Sequence, residues 1–530
     1  MAYLLWAESL TVVLLWVALQ MPQCARKSHP VWRVLILPLW VIVSFPCVSW
    51  FLVLFGRIFV VQRDFGWLST VPWSWLAGLL VGMIGLWFVG MRKRRGQVPA
   101  ERWPVAKLRA LLAIVVALLV ITFWGMDVSM RQHLLAIRAD AIATSVSIGP
   151  SRPAPADNAA FDYERAATIL GPTDKLPDEF SGKWTSLRDQ DANAFDPNDV
   201  AMRAFLTEKA AAIRLLRRGA GKTGCYFSNR RQVRRIYEET LYPLRFVSGE
   251  RVLLLSARIR AADGDRKGAI EDLNAAWALA GHASASGDVM ALLTAMHCEE
   301  LACQILQAFA EDSNFVPADL AAARIGPDPF YGRQAGSAIR IAAAAHMGVL
   351  ADFCLTGTMP TGEPKVSFPW PILAPYRVLA LPDDLVEAKR LSKSYLDLVD
   401  RPYRQCKDDL AKAQAESEHS GSLTSMAFLG IDSVVRAAAE ADARRAVAGT
   451  AVAVCRYRVE QGQWPGKLDD LVPDYLIVAP TDPFDGKPLR FKSDDDKIVI
   501  YSVGPDAVDD GGAAYDRKAK IGDIIFQLRK

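Results

Sequence analysis

Four apolar runs crowd the first 125 residues: Leu4 to Met21, Val34 to Val61, Trp73 to Met91 and Leu108 to Trp124. Each approaches or exceeds the ~17–25 residues that cross a bilayer. Buried helices of a soluble core would need polar faces elsewhere, and these runs leave few. Residues 1–125 are therefore expected to form a four-span transmembrane region. The chain as a whole is 51% hydrophobic, and the excess sits at this end together with most of the tryptophans, which favour membrane–water interfaces. The first run makes a poor signal peptide, because it carries Glu8, lacks a basic start and is followed by no small-residue cleavage site.

Orientation follows from the loops. Arg26, Lys27 and Arg33 lie between the first and second runs, and a denser cluster from Arg92 to Arg109 separates the third and fourth. The loop between the second and third holds only Arg63 beside Asp64. Lys and Arg mark the cytoplasmic side. The N-terminus and everything after Trp124 are then expected outside the cytoplasm.

The net charge of +4 is too mild for a nucleic-acid partner, and no basic stripe interleaved with aromatics occurs. The stretch RRGAGKTG at Arg217–Gly224 looks like a phosphate loop but lacks the first glycine and follows a helical pattern. No nucleotide is expected there. The six histidines show no zinc spacing, and neither HExxH nor GxSxG is present. His297, Glu299 and Glu300 form only a weak cluster, because adjacent residues diverge around a helix. Cys225, Cys298, Cys303, Cys354, Cys406 and Cys455 fall on the oxidising side of this topology. Either Cys225 bridges to one of the others, or all six are small buried hydrophobes in alanine-rich helices.

Past the membrane, residues 126–197 read as a juxtamembrane helix and a Pro-rich linker, loop-rich from Asp157 to Pro197. Residues 198–435 read as an irregular α-helical domain. Its clearest unit is a helix–turn–helix around Gly264 that resembles a tetratricopeptide-type hairpin, without a period repeated elsewhere. Further helices are predicted near Val289–Ala310, Gly336–Leu355, Asp383–Val399 and Thr424–Gln461. A Pro- and aromatic-rich insert runs from Thr356 to Leu381.

Residues 436–530 read as a long helix and a small α+β module. Gly462 and Pro465 end the helix, a short helix spans Lys467–Tyr475, and DPFDG at Asp482–Gly486 turns the chain. Strands are predicted over Leu489–Lys492, Lys497–Val503 and Ile521–Leu528, the first two joined by the polar SDDD hairpin. The fold class is thus mostly α, with a short antiparallel sheet at the C-terminus.

The motifs WP at Trp464–Pro465, DPFDG, YSVGPD at Tyr501–Asp506, DDGG at Asp509–Gly512 and GDI at Gly522–Ile524 resemble the globular part of major pseudopilins of bacterial type II secretion. The match covers about the last 85 residues. It departs in lacking the pilin leader and FTLIE helix, so processing and polymerisation like a pilin are not expected. The whole arrangement also resembles bacterial multi-span membrane proteins that join a helical outer domain to such a tail, a likeness that implies no activity. In major pseudopilins the loop before the last strand binds calcium. The resemblance makes Asp506, Asp509, Asp510 and Asp523 the candidate calcium ligands here, with backbone carbonyls completing the shell. A solvated Asp/Gly turn is the alternative.

The expectation for the whole chain is a membrane-anchored extracytoplasmic interaction or scaffold protein of the bacterial inner membrane, with a protein partner in the envelope and no catalytic motif. An accessory role in a secretion or pilus-like assembly is one alternative. An envelope enzyme with a site between the helical domain and the Thr356–Leu381 insert is another.

Overall fold

Alanine and leucine dominate the chain beyond residue 103, and the computed structural model is mostly helical with one small sheet. It describes residues 103–148, 152–171, 196–227, 242–285, 287, 289–357, 376–419, 430–516 and 521–530. The first three expected spans, the 26–33 loop and most of the insert lie outside these residues. The fourth apolar run, Leu108 to Trp124, falls in the first part of α1 (Trp103–Ile148), an unbroken 46-residue helix. At 1.5 Å per residue α1 is about 70 Å long, more than twice the thickness of a bilayer's hydrocarbon core.

After α1 come α2 (Ala160–Leu170), α3 (Val200–Glu208) and α4 (Ala210–Ala220). Asp199 starts α3 by accepting the amides of Ala201 and Met202 at 2.9 and 3.1 Å, which satisfies two otherwise orphaned donors. The stretch expected to be loop-rich therefore holds a helix, α2. Its inward face is Ala160, Asp162, Tyr163 and Ala166, and the buried aspartate disguises it. The hairpin around Gly264 is α5 (Tyr242–Ala262) and α6 (Arg266–Ser284). Its turn is closed by Asp265, which accepts the Gly268 amide.

Next follow α7 (Val289–Glu311), α8 (Tyr331–Thr356), α9 (Leu381–Leu396), α10 (Tyr403–His419) and α11 (Ile431–Gln461). Among the described residues α7 and α8 are long and apolar enough to cross a membrane by length and composition. Neither is one of the four expected spans. In this fold both are packed against other helices, α7 against α5, α6 and α11, and α8 against α1 and α11.

The sheet has the order β1 (Arg490–Ser493), β2 (Lys497–Ser502), β3 (Ile524–Arg529), antiparallel throughout. Its register pairs Phe491 with Ile500 and Ile500 with Phe526. One face, carrying Ile498, Ile500, Phe526 and Leu528, joins the helical core. The other face of β2 carries Val499 and Tyr501, also buried, and Gly512 of the Asp/Gly loop lies over it.

One hydrophobic core runs from Ala160 in α2 to Leu528 in β3, so the C-terminal strands and the helical array share their interior. Gly449 in the middle of α11 lies against the backbone of Gly326 and Pro327. A Cβ there would sit 2.6 Å from main-chain atoms, so only glycine permits the approach. A second, smaller cluster holds Leu134 of α1, Ala351 and Cys354 of α8, and Leu381 and Leu385 of α9. The N-terminal half of α8 belongs to the main core and its C-terminal end to this second cluster. Burying each leucine contributes ~1.5–3 kcal/mol relative to exposure.

Candidate functional site

The DPFDG turn is organised by Asp482, which is fully buried. Its carboxylate accepts the amides of Phe484 and Val503 at 2.9 and 2.8 Å and the Ser502 hydroxyl at 3.0 Å. Arg490 faces it at 3.2 Å and also bonds Asp485, while its Nε lies 3.5 Å from Asp509. One guanidinium thus balances three carboxylates. Burial pushes the Asp482 carboxyl up, against the pull of its hydrogen bonds. At Asp485 burial is outweighed by Arg490, and the carboxyl lies below its ordinary value.

The four aspartates expected to bind calcium lie in or against one loop, each with its own local role. Asp506 accepts Val508 N at 3.2 Å and Gly522 N at 3.1 Å. Asp509 accepts the Tyr501 hydroxyl at 3.2 Å and Gly511 N at 3.0 Å. Asp523, fully buried, accepts Gly512 N at 2.6 Å and Asp510 N at 3.4 Å. Asp510 thus contributes its amide, and its exposed side chain faces solvent. Burial, reinforced by Asp509 and Asp510, raises the Asp523 carboxyl. Among the described residues no three His, Cys, Asp or Glu side chains are grouped to hold a metal. As drawn, the loop is closed by carboxylate–amide bonds. A carboxylate oxygen has a further lone pair beyond those, so an ion would share these oxygens with the backbone.

Three buried polar clusters lie within the helices. The first joins α7, α8 and α11. Asp442 accepts the amides of Phe330, Tyr331 and Gly332 at 2.7, 2.7 and 2.9 Å. It caps α8, whose own N-cap residue Phe330 has no side chain able to do so. Glu299 accepts the Tyr331 hydroxyl and Arg445 Nη1, both at 2.7 Å, and Glu300 lies 3.5 Å from Arg444. The weak sequence cluster at 297–300 therefore has a structural partner. Two adjacent glutamates on an apolar helix face two adjacent arginines on α11.

The second cluster contains the RRGAGKTG stretch, which a helix precedes as expected. Lys222 bonds Asp162 at 2.9 Å and the Asn158 carbonyl at 3.1 Å, and Arg218 bonds the same aspartate. Beside it the Tyr163 hydroxyl meets His282 Nδ1 at 2.8 Å. Burial lowers the His282 imidazole and raises the Tyr163 phenol. In the third cluster Glu250 of α5 is wholly buried, with both carboxyl oxygens lacking a conventional hydrogen bond. The Cys298 thiol, a weak donor, faces it, and Arg251 acts on it by charge. Burial lifts this carboxyl to about 8.

Midway along α1, Asp127 and Arg377 form a buried ion pair at 2.7 Å. Arg377 also donates to the Cys354 carbonyl at the C-terminal end of α8 at 2.6 Å, and Arg131 bonds Asp127 at 2.9 Å. All six cysteines from 225 to 455 are buried, and no disulfide joins them among the described residues, so the disulfide alternative is not realised.

Comparison with known proteins adds no name to this geometry: no family model, no curated protein and no solved structure matches the chain.

Proposed function

We propose that the chain is a membrane-anchored interaction protein of the bacterial envelope, in which α1 carries the helical domain directly out of the bilayer. The observation that supports this best is the continuity of α1. Its first part is the apolar run 108–124, and three residues later Asp127 enters a buried ion pair with the domain. A span followed by a flexible linker would leave the domain free to tumble. A span that continues as a packed helix fixes the domain's height and orientation above the membrane, which suits a platform for a partner.

Four spans, with the domain and the C-terminal module outside the cytoplasm, complete the proposal. The module is proposed as a pseudopilin-like cap and the helices around Gly264 as a tetratricopeptide-like unit. Calcium at the Asp506–Asp523 loop would act as a stabiliser of the cap and not as a reagent. Phosphatase and cytoplasmic reporter fusions after residue 150 test the sidedness. An active phosphatase and an inactive cytoplasmic reporter agree with the proposal. The reverse pattern refutes it.

A further inference from the structure

Exposed apolar side chains ring the junction where α1 meets the rest of the domain. On α1 these are Ile121, Trp124 and Met126, which are 61%, 64% and 55% exposed. On a separate element, the helical turn that carries Arg377, Leu379 is 62% exposed. The Asp127–Arg377 pair holds that turn against α1. The following residues Leu381 and Leu385 pack with Leu134, about one to two helical turns further along α1. Leu379 is therefore held at a height between Asp127 and Leu134.

An exposed leucine on its own needs no explanation. This one lies near the buried ion pair, just beyond the point where α1 leaves the apolar run 108–124, so its surroundings are set by what surrounds that helix. We infer that the corner containing Leu379 seats on the lipid surface, with Leu379 inserted at the level of the headgroup–acyl boundary. The inference rests on the membrane-anchor reading. It adds that the domain touches the bilayer at a second point besides α1. Trp124, a turn or two nearer the apolar run, is the residue type that favours that boundary. The surrounding charges are mixed in sign, with Arg131 half-buried and paired to Asp127 and Asp383 exposed, so the seat needs no anionic lipid. Two contacts, a helix through the membrane and a leucine beside it, would stop the domain from tilting about α1.

The test uses the full chain carrying Cys24→Ser and Cys47→Ser, reconstituted in phosphatidylcholine vesicles. A bimane label is placed in turn at Leu379→Cys, at Ile121→Cys and at Ile477→Cys, an exposed position in the C-terminal module. Phosphatidylcholine bearing a doxyl group high on its acyl chain is the quencher. The inference expects strong quenching at 121 and quenching at 379 several-fold above that at 477. Quenching at 121 with 379 no higher than 477 overturns the seat and leaves the anchor standing. No quenching at 121 overturns the anchor and the seat together. Leu379 lies outside both hydrophobic clusters, so the substitution leaves the fold intact.

Discussion

Glu250 shows how a single side chain can make stability depend on pH. An unfolded glutamate loses its proton near its ordinary value of 4.5, whereas the folded one keeps it to about 8. Between these values unfolding releases a proton. The favourable, protonated burial is fully present below 4.5 and is lost as pH rises through 8. Glu250→Gln keeps the shape and cannot ionise. It is expected to match the parent near pH 4.5 and to exceed it by on the order of 2–5 kcal/mol at pH 8.5. Thermal unfolding of both proteins across that range is the check, and parallel pH profiles would show that Glu250 is not the buried acid described. Trp464 is a milder case. The ring is half-buried beneath Arg458, 5.5 Å from its centroid, so its removal costs less than that of a fully buried tryptophan.

Individual elements were legible where their apolar pattern is wide. The hairpin around Gly264, α7 and the three strands fall within a few residues of their expected positions, α8 starts five residues earlier than expected, and α11 ends at the expected Gln461. Helix α10 escaped notice because its buried stripe is Cys406, Leu410, Ala413 and Ser417. The spacing is helical, but only one member is strongly apolar. The buried clusters were invisible for another reason. Asp442 and Glu299 find their partners more than a hundred residues away, and spacing along one helix carries no record of that.

Two predictions belong to the C-terminal sheet. Gln307 of α7 pairs its amide with the open edge of β3, donating to the Gln527 carbonyl at 3.1 Å and accepting its amide at 2.8 Å. Gln307→Ala strands both groups and should destabilise the sheet by ~1–3 kcal/mol. Faster hydrogen exchange at the Gln527 amide would show it, and unchanged protection would remove Gln307 from the account. If the Asp/Gly loop takes calcium as proposed, its carboxylates are already bonded to amides, so the expected binding is weak, with a dissociation constant of about 0.1–1 mM as in extracellular modules. Millimolar calcium should raise the melting temperature of the tail more than magnesium does, and Asp506→Ala should abolish the rise. A melting curve indifferent to calcium leaves a loop held by its carboxylate–amide bonds alone.

At the scale of the whole molecule, packing links the expected membrane helix to the C-terminal strands. Helix α1 packs on α8, α8 is capped by Asp442 of α11, and α11 lies under β2 and β3. The apolar runs of the sequence pointed to an anchor and a separate outer region. They did not reveal that the helix leaving the fourth run is itself part of the folded domain, because Asp127 needs Arg377, 250 residues away, to become a buried residue. The claim is tested most directly by single cysteines stepped along α1 in reconstituted vesicles, reacted with a water-soluble maleimide. Ala113→Cys and Ala117→Cys should be protected, and the exposed position Leu135→Cys should react freely, with the boundary between Ile121 and Asp127. Equal reactivity at 113, 117 and 135 would mean that α1 lies in water along its whole length, and the anchor would have to be abandoned.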